Sequence, residues 1–224
     1  MRHSRLSAGG SNVLQAIRQK RLEAQSQGKK LLDLSIGEPK GPALLSARLA
    51  ASNAVMSDDE VMHAYQYNDS PAVPGFSEHF IAQHVNRPIP ENDVDYLPIP
   101  GIKPVLGLLP LACGCATNKV KVATTTNPGY PIPADWCDFH PLVDHYALPL
   151  TIENKFRFSA EEFVPDSDLI LLNYPHNPSG QVASESWLRE LCEYCGVHDI
   201  RLFNDAAYIS LSHTDDSALL TDVA

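Results

Sequence analysis

Long apolar runs are missing from these 224 residues: the longest, Val105 to Cys113, is broken by Gly107 and Pro110. It falls far short of the ~20 residues a helix needs to span a bilayer, so no membrane partner is expected. Basic charge is also scarce, with 17 Lys+Arg against 27 Asp+Glu and a net charge of −10. Such a balance argues against nucleic acid or an anionic membrane surface as principal partner, while leaving room for a local anion site. The first twenty residues are polar and basic with no apolar centre. A secretory signal is therefore not expected, and the cytoplasm is the expected compartment. A disulfide framework is lacking too, because the five cysteines are odd in number and irregularly spaced. Cys192 and Cys195 form a C-x-x-C, but within Trp187 to Cys195 they share a helical face with Leu188 and Leu191, which predicts buried thiols rather than half a zinc site or a redox pair. The nine histidines show no ligand-like spacing, and no metal is expected. Lysine, finally, does not recur after Lys155.

What is present is a 44% hydrophobic chain long enough for one large domain or one domain and part of another. Ser11 to Gly28 reads as an amphipathic helix with Val13, Leu14, Ile17 and Leu22 as apolar positions and Gly28 as its C-cap. Leu31 to Ile36 reads as a short extended run. Pro42 to Ala54 and Val73 to Val85 read as helices, separated by a turn over residues 65–71. Beyond them, strand candidates at Val94 to Ile99, Lys119 to Thr124, Leu169 to Asn173 and Ile200 to Asn204 alternate with helix candidates at Lys103 to Cys113, Pro131 to Phe139 and Ser184 to Gly196. That alternation predicts an α/β fold, a three-layer α/β/α domain around a mostly parallel sheet. Most of the eighteen prolines fall at loop and helix-start positions, where a fixed φ does no harm.

Two short loops stand out, Asn173-Tyr174-Pro175-His176-Asn177-Pro178-Ser179-Gly180 and Asn204-Asp205-Ala206-Ala207-Tyr208. Each follows an apolar run, Leu169 to Leu172 and Ile200 to Phe203, of the kind found in strands covered on both faces. In an open α/β sheet ligands bind beyond the carboxyl ends of the strands, so Asn177 and Asp205 are expected to converge on one crevice. A carboxylate leaving such a core is poorly solvated, and Asp205 must either meet a cation or carry a raised pKa. Taken singly, Asn-Pro-x-Gly is also an ordinary turn sequence, and Gly101-Ile102-Lys103 a plain helix start.

In order and context these segments resemble the class I/II aminotransferases, the fold-type I group of enzymes that use pyridoxal 5′-phosphate (PLP). The resemblance runs from about Leu34 to the last residue. Leu34-Ser35-Ile36-Gly37-Glu38-Pro39 resembles the Gly-Glu-Pro segment, whose backbone, here at Ile36 and Gly37, approaches the substrate carboxylate in the family. Tyr67, ahead of Ala72-Val73-Pro74-Gly75-Phe76, resembles the tyrosine that reaches the cofactor phosphate of the neighbouring subunit, with Tyr65 as the competing candidate. Gly101, Ile102 and Lys103 stand where a strand-to-helix turn offers backbone N–H groups to the phosphate. Tyr130, in Asn127-Pro128-Gly129-Tyr130-Pro131, matches the aromatic residue that stacks on the pyridine. Asn177 and Tyr208 correspond to donors to the cofactor's phenolate oxygen. Asp205 corresponds to the carboxylate that keeps the ring nitrogen protonated, so that electrons released at the substrate's α-carbon flow into the ring.

The resemblance implies transamination between amino acid and 2-oxo acid substrates, and a homodimer for intact relatives. It assigns residues 1–45 to an N-terminal arm and part of a small domain, and residues 46–224 to the PLP-binding large domain. The run from Pro100 to Cys113, with the segments at 127–131 and 204–208, is similar to diaminopimelate-forming aminotransferases. There are departures. Ala206 stands in place of an acidic residue, Ala72 in place of a glycine, and Ala116-Thr117-Asn118 in place of Pro-Gly-Asp. Family members continue past the Asp-x-x-Tyr into a Ser-x-x-Lys that supplies the Schiff-base lysine, and this sequence stops at Ala224. The expectation is an incomplete aminotransferase, its C-terminal part missing and inactive alone. The alternatives are a non-catalytic remnant that binds PLP or a partner, and a PLP lyase on the same scaffold.

Overall fold

The computed structural model describes residues 13–34, 37, 41–64, 75–85, 94–159, 167–212, 217–220 and 223. The chain divides into two compact units, Met1–Ala64 and Tyr65–Ala224.

In the first unit helix α1 spans Val13–Ser26. It ends where the sequence places the stop, at Gly28 with φ +74°. The Gly28 N–H donates to the Gln25 carbonyl (2.9 Å) and the Lys29 N–H to the Ala24 carbonyl (3.1 Å), so the left-handed glycine closes a Schellman turn over carbonyls the helix cannot itself satisfy. Helix α2 is Leu45–Val55, and a 3-10 turn at Glu60–Met62 is started by the Asp59 side chain, which accepts from the Val61 N–H (3.0 Å). Leu31 to Leu34, read as a short extended run, carry no helix or strand, and residues 35–36 lie outside the described set.

The second unit holds α3 (Phe76–Ala82), α4 (Ile102–Ala112), β1 (Val120–Thr124), α5 (Ile132–Phe139), β2 (Val143–Ala147), β3 (Leu169–Leu172), α6 (Glu185–Val197) and β4 (Arg201–Asn204). The four strands form one parallel sheet in the order β2-β1-β3-β4. Successive side chains of a strand point to opposite faces, and the core follows that rule. Ala123, Ile170 and Leu172 pack on one face with Leu188, Leu191 and Cys195 of α6. Val120, Val122, Leu169 and Leu171 pack on the other with Leu109 of α4, Cys115 and Cys137 of α5. The result is the three-layer α/β/α arrangement. Every residue of β3 is buried, as a central strand covered on both faces requires.

Helix α6 begins at Ser184, whose hydroxyl accepts from the Trp187 N–H (3.4 Å), and it carries an Arg189–Glu185 pair one turn apart (2.8 Å). Pro110 lies inside α4 rather than at a boundary, so its missing N–H leaves one rung of that helix open. Two strand expectations need correction. Val94 to Ile99 is irregular and joins no ladder among the described residues, because an apolar run becomes a strand only where a neighbour pairs with it. Val143–Ala147 is the edge strand beside β1, unanticipated because Asp144 and His145 interrupt the apolar pattern; an edge tolerates polar side chains that a central strand does not.

All five cysteines are free thiols. Burial pushes those of Cys137 and Cys195 up to about 12, so neither is a thiolate at neutral pH. Among the described residues there is no cluster of metal-ligating side chains, and no helix is long and apolar enough to cross a membrane. Because the strands run parallel, the segments that follow β1, β3 and β4 emerge along one edge of the sheet.

Candidate functional site

Those three segments and the start of α4 enclose a pocket of about 280 Å³ lined by Ile102, Lys103, Tyr130, Asn173, Asn177, Asp205, Ala207 and Tyr208. Six residues singled out in the sequence therefore share one cavity: Ile102, Lys103, Tyr130, Asn177, Asp205 and Tyr208. Gly101 sits at its margin as the N-cap of α4, with φ +114° and ψ 154°, a conformation that a side chain would strain. No side chain caps this helix, and Pro104 in its first turn has no N–H to give. The first-turn donors at the positive end of the α4 dipole are thus the amides of Ile102 and Lys103, two residues that line the pocket. Gly37 belongs to the first unit and is exposed, while Ile36, Tyr65 and Tyr67 lie outside the described residues.

Asp205 follows the last residue of β4 and is only 5% exposed. Its backbone N–H continues the β3 ladder to the Leu172 carbonyl (2.9 Å), and one carboxylate oxygen accepts from the Ala207 N–H (3.3 Å). Burial raises its pKa, and the Ala207 hydrogen bond offsets only part of that. On the adjoining strand end the Asn177 amide nitrogen donates to the Tyr208 hydroxyl (3.4 Å). Tyr130 arrives on a turn that Gly129 permits, since any Cβ there would meet the Thr125 carbonyl oxygen at 2.0 Å.

Sequence reading underrated Asn173, the residue that ties these pieces together. It is 4% exposed. Its N–H donates to the Thr125 hydroxyl (3.0 Å) and its side-chain amide to the Asp205 carbonyl (2.8 Å), while its side-chain oxygen accepts from the Asn177 N–H (3.1 Å). One side chain thus spans the strand ends of β3 and β4 and fixes the first turn of the Asn177 loop. A second lock joins the same strands: Asn204 accepts from the Tyr174 N–H (2.8 Å) and donates to the Tyr174 carbonyl (2.9 Å). The available signal was the position itself, a polar amide closing the run Leu169 to Leu172. Asn173→Ala is expected to destabilise the fold by ~2 kcal/mol, because it leaves a buried carbonyl and a part-buried N–H without these partners. Thermal melting of the variant checks this.

The sequence profile of the family "Aminotransferase class I and II" matches residues 29–223. An LL-diaminopimelate aminotransferase of Dehalococcoides mccartyi is 25% identical over 202 residues, covering 88% of this chain and 50% of the relative. The aspartate aminotransferase structure from Rhizobium meliloti superposes with a TM-score of 0.78 at 20% identity, over all of this chain and 56% of its own. The substrate-bound BacF structure from Bacillus subtilis superposes with a TM-score of 0.76 at 20% identity, over 96% of this chain and 54% of its own. The chain spans about half the length of these relatives. A profile match across most of the sequence, together with the shared fold, places the chain in the aminotransferase class I and II family.

Proposed function

We propose that the pocket is the cofactor site of a PLP-dependent aminotransferase, which exchanges an amino group between an amino acid and a 2-oxo acid. The observation that carries this reading is the buried Asp205 carboxyl in one cavity with Asn177, Tyr208 and the uncapped N-terminus of α4. The donor set fits the cofactor's chemistry. A carboxylate held in a poorly solvated place gains most from a protonated ring nitrogen. The Asn177 amide and Tyr208 hydroxyl, already within reach of each other, offer hydrogen bonds to a phenolate oxygen between them. The first-turn amides of Ile102 and Lys103, with the Lys103 ammonium, suit a dianionic phosphate. Tyr130 supplies a flat wall beside them.

Bound there, PLP supplies an electron sink for bond cleavage at an amino acid's α-carbon. The chain's own residues bind and orient. Asp205 holds a proton at the pyridine nitrogen, Asn177 and Tyr208 lower the basicity of the oxygen they touch, and the α4 amides anchor the phosphate end. Ile36 and Gly37 are assigned to the substrate carboxylate and Tyr67 to the phosphate of a neighbouring subunit. The same reading assigns residues 1–45 to an N-terminal arm and part of a small domain, and residues 46–224 to the large domain. It also carries a homodimeric assembly and a cytoplasmic setting. Since several curated relatives are named LL-diaminopimelate aminotransferase, diaminopimelate is the first amino acid to test.

Titration of the 224-residue polypeptide with PLP, followed by visible absorbance and borohydride treatment, tests the site. Reversible binding is expected, with no cofactor left attached to a lysine, because Lys103, the one lysine among the residues lining the pocket, is assigned to the phosphate. Absence of binding contradicts the assignment. Stoichiometric attachment at Lys103 gives the pocket a different chemistry.

A further inference from the structure

His176 plays no part in the chemistry proposed above, yet it is a buried titratable side chain with a partner on each ring nitrogen. It is 2% exposed. Its ring lies against Phe156 (centroids 5.9 Å apart) and Tyr174 (5.6 Å). Nε2 is 3.1 Å from the Pro128 carbonyl oxygen in the loop after β1, and Nδ1 is 2.7 Å from the Ser179 hydroxyl in the loop after β3. A carbonyl only accepts, so Nε2 must carry the proton and donate. Nδ1 is then the acceptor, and the Ser179 O–H donates to it. The geometry thus selects one neutral tautomer. Burial also lowers the pKa of this imidazole, outweighing the backbone of Thr125 and Pro128, which favour the charged form.

The two loops so joined carry the pocket's opposing groups. Pro128 precedes Tyr130 by two residues, and His176 directly precedes Asn177. The His176 backbone is pinned as well, its N–H donating to the Gln181 carbonyl (2.7 Å) and its carbonyl accepting from the Gly180 N–H (2.7 Å). A rigid ring on a closed loop therefore reaches across to the neighbouring loop.

We propose that His176 is a positioning residue: a neutral imidazole that keys the Tyr130 loop to the Asn177 loop and sets the spacing between the aromatic wall and the polar wall of the pocket. Its consequence for cofactor binding rests on the function proposed above, while the mechanical link does not.

Amide hydrogen exchange separates the two. His176→Phe keeps an aromatic ring beside the same aromatic neighbours but removes the polar contacts, whereas His176→Gln can still donate to Pro128 and accept from Ser179. In the Phe variant the amides of Asn127, Gly129 and Tyr130, the three residues of 127–131 that carry an N–H, are expected to exchange roughly tenfold faster than in the unaltered chain, and in the Gln variant to stay close to it. PLP affinity should fall in the same order, most for Phe and least for Gln. Should the Phe variant fail to fold, His176→Leu makes the same comparison without a larger ring: faster exchange at Asn127, Gly129 and Tyr130 upholds the key, and unchanged exchange overturns it. The proposal is also overturned if Phe leaves 127–131 unchanged, or if Gln loosens that segment as much as Phe. A chain that binds no PLP at all contradicts the cofactor reading, while the exchange data still decide the role of His176.

Discussion

Asp205→Asn is expected to stabilise the cofactor-free chain while weakening its hold on PLP by roughly tenfold, the equivalent of one pKa unit of interaction with the ring nitrogen. The two effects share one cause. At neutral pH the fold keeps a carboxylate at 5% exposure whose hydrogen bond within its own loop is a long one, 3.3 Å to the Ala207 N–H. An amide oxygen can accept that same bond without carrying a charge, so the substitution should add about 1 kcal/mol and raise the melting temperature by a few degrees. In the complex the balance reverses, because an amide cannot hold a proton on a pyridine nitrogen.

Linkage gives the pH dependence of the gain. Burial raises the native pKa of Asp205 above its ordinary 3.8, so between the two values the folded state binds more protons than the unfolded one. The unaltered chain thereby recovers stability as pH falls through the native pKa, and the Asn variant has nothing to recover. The difference in melting temperature should be widest above the native pKa and vanish near pH 3.8. The histidines that burial holds neutral, His145 and His176, work in the opposite sense, losing stability as pH falls below 6.5, but they do so equally in both proteins and cancel. Melting curves across this range, paired with PLP titrations at neutral pH, check both halves. A variant that melts lower at neutral pH would show that the carboxylate is satisfied by contacts other than a cofactor.

Gly129→Ala should do the greatest damage to the fold of any conservative change near the pocket. Its methyl would lie 2.0 Å from the Thr125 carbonyl oxygen and 2.5 Å from the Thr126 Cα, both backbone atoms that no rotamer change can move aside. The turn must open. Thr125 cannot shift freely, because its hydroxyl accepts from the Asn173 N–H and its own N–H donates to the Leu171 carbonyl (3.1 Å). A cost of about 3 kcal/mol is expected, at the upper end for overpacking, which corresponds to a fall of roughly 6 to 12 °C in melting temperature. PLP binding should be lost with it, since Tyr130 is the next residue. Gly180→Ala is the informative comparison. There φ is +71° but nothing lies within 4 Å of the added carbon, so only the conformational cost of about 1 kcal/mol applies. Equal melting temperatures for the two variants would mean that the turn at 125–130 relaxes easily.

The sequence carried the layers of the fold and the identity of most pocket residues. Central strands such as Leu169–Leu172 announce themselves by unbroken apolar character, and helix ends by residues with a local conformational task, as Gly28 and Ser184 show. Asp205 and Asn177 were legible because each follows an apolar run in a fold whose ligands gather at strand ends. Signals of this kind are local, and a single chain segment states them.

The remainder depended on partners distant in the chain. Val143–Ala147 is a strand because β1 lies beside it, and Val94 to Ile99, although more apolar, is not, for want of a ladder. Asn173 and His176 look like ordinary turn residues until the fold brings Asp205, Thr125 and Pro128 within hydrogen-bonding distance. The sequence by itself therefore determined which segments become strands, helices and strand-end loops wherever short-range periodicity and turn chemistry suffice. The tertiary structure alone decided which buried polar groups find one another, because a hydrogen bond between residues 48 positions apart, as from His176 to Pro128, leaves no periodic trace in either segment.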